Sequence, residues 1–196
     1  MNVQQLRNAW IDWIDEHQWD DYLTVNFNCA STITSGKQQF GKLCQRIDSF
    51  LLGPRYRKQV ANRTFIIAFP EHVRSNFHYH CLVKYNCIGR GSHPISKHIL
   101  QYYWKQLVPS GTIHLQDAYD ASGAARYSTK ECGSFDRLND IIVSSEFWPS
   151  GEEESEGTWL EMVNWSRLRT LRQSAHYANL RRQRLRREQQ PGETCR

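Results

Sequence analysis

The sequence predicts an α+β domain built on a central antiparallel sheet, in the split βαβ arrangement with order βαββαβα. Three observations predict it: a strand alternating between apolar and polar residues, a pair of β-rich runs joined by a short polar turn, and two amphipathic helical stretches that separate them. The alternating strand is 21–29, DYLTVNFNC, with Leu23, Val25 and Phe27 on one side and Thr24, Asn26 and Asn28 on the other. The paired runs are TFIIAF (64–69), ended by Pro70, and FHYHCLVKY (77–85), rich in β-branched and aromatic residues as strands require.

The helices follow from a period near 3.6. Over 37–52, Phe40, Leu43, Cys44, Ile47, Phe50 and Leu51 share one face, and Gly53 and Pro54 stop the run. A second helix is expected over 95–107, with Pro94 near its first turn and Pro109 beyond its end. Residues 112–118 read as a fourth strand and 121–132, ASGAARYSTKEC, as a short helix. An additional N-terminal helix over 2–17 carries Leu6, Trp10, Trp13 and Ile14 at helical spacing. The expected layering puts helices on one sheet face and leaves the other open.

Composition bounds the class. The 196 residues are 39% hydrophobic and 23% charged with seven tryptophans, as in a globular domain. No run approaches the ~18 apolar residues of a membrane span, so no membrane partner is expected. Cys29, Cys44, Cys81, Cys87, Cys132 and Cys195 show no repeated CxxC, which points to reduced thiols in a cytosolic or nuclear compartment. A zinc site from Cys81, Cys87, His93 and His98 fits no spacing with a physical rationale.

The net charge of +5 is uneven. Residues 165–196 hold nine arginines against two glutamates, +7 by count, and the other residues balance at −2. The expected organisation is a domain over 1–146, an acidic linker over 147–157 containing SGEEESEG, and a helical, arginine-rich extension over 158–196. General nucleic-acid affinity is then expected in the tail, through Arg181, Arg182, Arg184, Arg186 and Arg187, with the body acting through a local site.

That local site is suggested by His78 and His80, two apart in a strand and hence on one side of the sheet, opposite Phe77, Tyr79, Cys81, Val83 and Tyr85. A hairpin centred near Arg74 pairs positions summing to 148 or 149 and brings Glu71 beside His78 or Phe77. Two imidazoles and a carboxylate suit a divalent ion such as Mn²⁺ or Mg²⁺ acting on phosphate, though Fe(II) and Zn²⁺ take the same donors. Tyr127 and Lys130 stand at i and i+3, so a phenol and an ammonium are presented together. A phenol becomes a competent nucleophile when a cation stabilises its developing charge or a metal polarises its target.

The strand FHYHCLV resembles the His-hydrophobe-His motif of the HUH endonucleases, and RYSTKE resembles the tyrosine motif of their replication-initiator (Rep) branch. LTVNFN is similar to the family's first motif, and the spacing from Glu71 to His78 is similar to that of the carboxylate ligand in parvovirus-type Rep nuclease domains. The resemblance covers residues ~20–145 in the family's usual βαββαβα order. It implies Tyr127 as nucleophile, Glu71, His78 and His80 as metal ligands, Lys130 as a phosphate- or tyrosine-positioning residue, and Asn26 and Arg126 as DNA contacts. The implied activity is nicking and joining of single-stranded or hairpin DNA through a 5′-phosphotyrosine, as rolling-circle replication requires, in the cytoplasm or, for a protein of a eukaryotic virus, the nucleus.

Order and spacing narrow the branch. In relaxases the tyrosine precedes the histidine motif, whereas here it follows. Small HUH tyrosine transposases commonly take a ligand from a glutamine just after the tyrosine, where this chain has STKEC. Position 131 is Glu, so one nucleophile per subunit is expected, and without a GxxxxGK[ST] run in these 196 residues a separate helicase is the expected partner. A non-catalytic single-strand-binding module with a ferredoxin- or RRM-like sheet would instead show aromatics on the face that bears His78 and His80.

Overall fold

The computed structural model describes residues 2–86, 94–130 and 134–148, with isolated positions at 170, 173, 174, 176, 180 and 183. Its elements are α1 (Val3–Asp15), β1 (Asp21–Asn26), α2 (Ile33–Leu52), β2 (Phe65–Glu71), β3 (His78–Lys84), α3 (Lys97–Leu107), β4 (Thr112–Asp117), α4 (Ala121–Ser128), α5 (Phe135–Asn139) and β5 (Ile142–Val143). The strands form one antiparallel sheet in the order β4-β1-β3-β2-β5.

Local chemistry sets the helix ends. Asn2 caps α1 through its side chain, and Gln5 returns the bond to the Asn2 backbone, so two end donors are satisfied reciprocally. Thr32 accepts from Ser35 N and starts α2 at Ile33, four residues before the start at 37 that the apolar stripe suggests. Gly53 ends it at φ +76°, a left-handed conformation that glycine adopts without a Cβ clash. Phe50, expected on the buried face of this helix, is 44% exposed and lies at an edge with Tyr103, 6.4 Å between rings.

Pro70 does not end β2, which runs on to Glu71. The β5 ladder covers only Ile67 and Ala68, so at Pro70 the strand is an edge, where a missing N–H is tolerated. This extension places Glu71 in register with His78.

Two cores flank the sheet. On one side α2 and α3 pack Phe40, Leu43, Ile47, Leu100 and Trp104 against Leu23, Val25, Tyr79, Cys81 and Val83. Cys81 is buried there, on the side away from His78 and His80, which removes it from the imagined zinc set; Cys87 and His93 lie outside the described residues. The other face is not open. Leu6, Trp10, Trp13 and Ile14 of α1, with Ala125 of α4, cover Tyr22, Phe65, Ile67 and Leu82. The physical reason is the continuous apolar run of β2, which has a residue to bury on both sides.

Only part of that face remains for chemistry, the end bearing Glu71, His78 and His80. Phe147 abuts Gly41, and Trp148 is buried in the α1-side core, so the packed body extends past the expected boundary at 146. The arginine tail and the acidic linker from 149 onward lie outside the described residues apart from the isolated positions. No helix among the described residues is long and apolar enough to cross a membrane.

A buried ion pair braces α2 against β2. Arg63 Nε donates to Asp48 Oδ2 at 2.7 Å, and Thr64 N donates to Asp48 Oδ1 at 2.8 Å, with both charged side chains 1% exposed. Arg63→Ala is expected to destabilise the fold by about 3–5 kcal/mol, because it strands the Asp48 carboxylate. Denaturant titration checks this, and a change under about 1 kcal/mol would mean the pair contributes little.

Candidate active site

Three elements converge at one end of the sheet, on the face that α1 and α4 pack against. Glu71 ends β2, His78 and His80 lie on β3, Tyr127 lies in the last turn of α4, and Lys130 follows just beyond its end. The hairpin turns at once after Glu71 because His72 adopts φ +49°, a left-handed conformation uncommon for a residue with a Cβ. The register Glu71↔His78 and Phe69↔His80 leaves Glu71 diagonal to His80 on the same face, close enough for side chains to meet.

Glu71 Oε2 lies 2.9 Å from His78 Nε2 and 2.6 Å from His80 Nε2, and the two ring nitrogens are 3.2 Å apart. His78 Nδ1 faces the Asn76 carbonyl at 2.8 Å. A carbonyl can only accept, so Nδ1 carries the hydrogen and the Nε2 of the neutral ring presents a bare lone pair. That lone pair points at a carboxylate and a second imidazole nitrogen, an arrangement a shared proton satisfies in part. Burial, then the neighbouring His78, pushes the His80 pKa down and disfavours a second proton there. A cation among the three atoms satisfies all of them, and the residues present therefore fit a metal ion.

The surrounding shell holds these donors. Thr24 Oγ1 lies 3.1 Å from His80 Nδ1, and the Tyr22 ring stacks on the His80 ring at 5.5 Å. Burial raises the Tyr22 pKa to about 12, so its hydroxyl stays protonated beside Ser128. Asn26 pairs with His78 across the ladder and is half-buried.

Lys130 connects the donors to the phenol. Its Nζ is 2.5 Å from Glu71 Oε1 and 3.6 Å from the centre of the Tyr127 ring. The Tyr127 ring meets the His80 ring edge-on at 5.4 Å and is 52% exposed. The sequence places Tyr127 and Lys130 on one face of a helix over 121–132, but α4 ends at Ser128, and Lys130 N reaches Tyr127 O at 3.1 Å in a tighter turn. Arg7 of α1 fixes that turn by donating to Thr129 Oγ1 and to the Arg126 carbonyl, both at 3.2 Å. Arg126 is itself exposed on α4.

Glu71 combines opposing influences. Burial alone would raise its pKa, but the hydrogen bond from Lys130, and after it the contacts with His78 and His80, outweigh burial and hold the carboxyl below its ordinary value. Below about pH 4.3, the ordinary glutamate value, the unfolded chain binds the proton that folded Glu71 still refuses. The stabilisation is thus complete above that pH and is lost as pH falls through the folded value. Glu71→Gln is expected to flatten the pH dependence of the denaturation midpoint in this acid window. An unchanged slope would show that Glu71 is not held ionised.

Sequence reasoning found Glu71, His78, His80, Tyr127 and Lys130, and the structure brings these five together. It missed Tyr22, Thr24 and Arg7. Thr24 and Tyr22 sit at alternate positions of β1, a parity legible in the sequence, but their contact with His80 depends on the β1–β3 register. Arg181, Arg182, Arg184, Arg186 and Arg187 lie outside the described residues.

Fold and site define an α+β protein with a buried two-histidine, one-carboxylate cluster and a half-exposed tyrosine beside it. Comparison with family models, curated proteins and solved structures gives no match.

Proposed function

We propose that the chain is a single-strand DNA nickase and strand-transferase of the HUH type, single-tyrosine Rep branch, on a split βαβ sheet. The observation that carries the reading is the joint placement of Tyr127, Lys130 and the Glu71–His78–His80 cluster within one small window of the sheet. A divalent ion held there, with the two nitrogen donors favouring Mn²⁺ over Mg²⁺, would polarise a nonbridging oxygen of a phosphodiester.

The protein's own groups account for the rest. Tyr127 Oη attacks phosphorus, and its phenolic proton passes to water. The new phosphorus–Oη bond forms as the bond to the 3′ oxygen breaks, and that oxygen takes up a proton. The products are a free 3′-OH and a 5′-phosphotyrosine. Because the ester keeps the phosphodiester energy, a 3′-OH can attack it, release Tyr127 and reseal the strand without ATP. Lys130, held by Glu71, keeps the phenol beside the cluster and supplies positive charge where phenolate develops. Asn26, next to His78, and Arg126, on the exposed side of α4, stand where a bound strand can meet them.

A pool of single-stranded oligonucleotides incubated with the full chain and Mn²⁺ tests the reading. The expected result on a denaturing gel is a shortened strand and a protein–DNA adduct that peptide mapping places on Tyr127. Intact DNA and no adduct across Mn²⁺, Mg²⁺ and Zn²⁺ would overturn it.

A further inference from the structure

Beside the catalytic window lies a cleft of about 330 Å³, at the lower end of the roughly 300–1,000 Å³ typical of small-molecule sites. His80 and Tyr127 form the wall it shares with the cluster, and Tyr22 forms its inner side. Gln116 of the edge strand β4 and Tyr119 and Asp120 of the β4–α4 turn complete the rim. Tyr119 is 87% exposed, so its ring face is available for a partner to stack on.

We propose that this cleft is the subsite for one unstacked nucleobase of the nucleotide next to the scissile phosphate, and that it favours a base bearing an exocyclic amino group over thymine. The inference rests on the nickase reading for its substrate class, and its own support is the lining. The described residues that line the cleft include no lysine or arginine but two aspartates, Asp117 and Asp120, so the cleft suits a base and repels a phosphate. Aromatic rings give every base a surface to stack on. The polar groups then sort the bases. Asp120 caps α4 with one carboxylate oxygen, Oδ1 to Gly123 N at 2.7 Å, and a carboxylate can only accept, so it rewards an amino donor. Gln116 offers one amide oxygen and one NH₂, the pair that matches the N6 and N7 edge of adenine. Thymine has a carbonyl in place of the exocyclic amino group, which turns an acceptor toward the acceptor-only Asp120 carboxylate.

Placement gives the cleft its consequence. Its wall is the nucleophile itself, so a base seated there draws its phosphate toward the Tyr127 hydroxyl and the cluster, and correct seating aligns the attack. Tyr119 would close over the outer ring face.

The test uses free deoxynucleosides, which carry no phosphate and so report the cleft alone. In amide NMR titrations of the full chain, deoxyadenosine and deoxycytidine are expected to shift Tyr119 and Ala124, with thymidine binding about tenfold more weakly, the scale of one lost base-edge contact. Tyr119→Ala should weaken deoxyadenosine about tenfold, the scale of one base stack, while Tyr119→Phe keeps it. Asp120→Asn, which keeps an oxygen to accept from Gly123 N and adds a donor, should erase the preference for adenine over thymine. Tyr119 is exposed, so its variants are expected to remain folded. Absence of shifts at Ala124, equal thymidine affinity, or an unaffected Tyr119→Ala variant would each overturn the subsite. Nucleoside binding by a protein that forms no DNA adduct would sustain the cleft and sink the nickase reading; an adduct without nucleoside binding would do the opposite.

Discussion

Tyr127→Phe is expected to abolish cleavage and the covalent adduct, a loss on the order of 10⁴-fold or more, the scale at which removing a covalent nucleophile acts. The change removes one oxygen from a ring that is 52% exposed, so stability should move by no more than about 0.5 kcal/mol. Phenylalanine also keeps a ring face for Lys130, whose Nζ lies 3.6 Å from the ring centre, and that contact still holds the turn. Binding of single-stranded DNA should accordingly survive within a few-fold. The rival nucleophiles are Tyr102, Tyr103 and Tyr119, of which Tyr102 and Tyr119 are exposed. Tyr102 and Tyr103 sit on α3, which packs on the sheet face away from the cluster. An adduct that persists in Tyr127→Phe and maps to one of these three would remove the assignment.

How much of this was legible in the sequence differs between strand and helix. The parity of FHYHCLV separates His78 and His80 from Tyr79, Cys81 and Val83 with no further information, because side chains alternate along any strand. The hairpin sum of 149 that pairs Glu71 with His78 follows from turn length, itself a local quantity. The pairing of the N-terminal helix was not local. Its stripe of Leu6, Trp10, Trp13 and Ile14 is plain in the sequence, but which face it covers depends on contacts with residues fifty or more positions away. One signal did point there. Phe65, Ile66, Ile67, Ala68 and Phe69 form an unbroken apolar run, the mark of a strand buried on both faces, and Leu82 adds an apolar residue on the side of the histidines.

The remaining differences have similar causes. β5 is two residues long, too short for any periodicity to show. The end of α4 at Ser128 reflects Thr129, whose hydroxyl bonds back to the Ala125 carbonyl at 2.7 Å and so competes for the helical pattern. That early end brings Lys130 round toward Glu71. The helical spacing and the observed turn both join Tyr127 to Lys130, but only the turn also joins Lys130 to the metal-fitting cluster.

His78→Ala and His80→Ala are each expected to lose metal-dependent cleavage, and to lose metal binding measured without DNA. The wild-type chain should gain thermal stability as Mn²⁺ is added, by about 2.7 kcal/mol at a hundredfold excess over the dissociation constant. Either alanine variant should gain almost none, because one imidazole and one carboxylate leave too few donors on a site built from three. Thr24→Val separates ligand from support. It removes the hydroxyl 3.1 Å from His80 Nδ1 but leaves all three donor atoms, so metal affinity should fall by roughly 10–100-fold, as it does when a ligand's orienting partner is lost. Excess Mn²⁺ should rescue Thr24→Val and leave the histidine variants inactive. EDTA should stop the wild-type reaction, and re-addition of Mn²⁺ should restore it. Full cleavage in EDTA, or equal Mn²⁺ stabilisation of wild type and of the two alanine variants, would reduce His78 and His80 to a structural pair around Glu71.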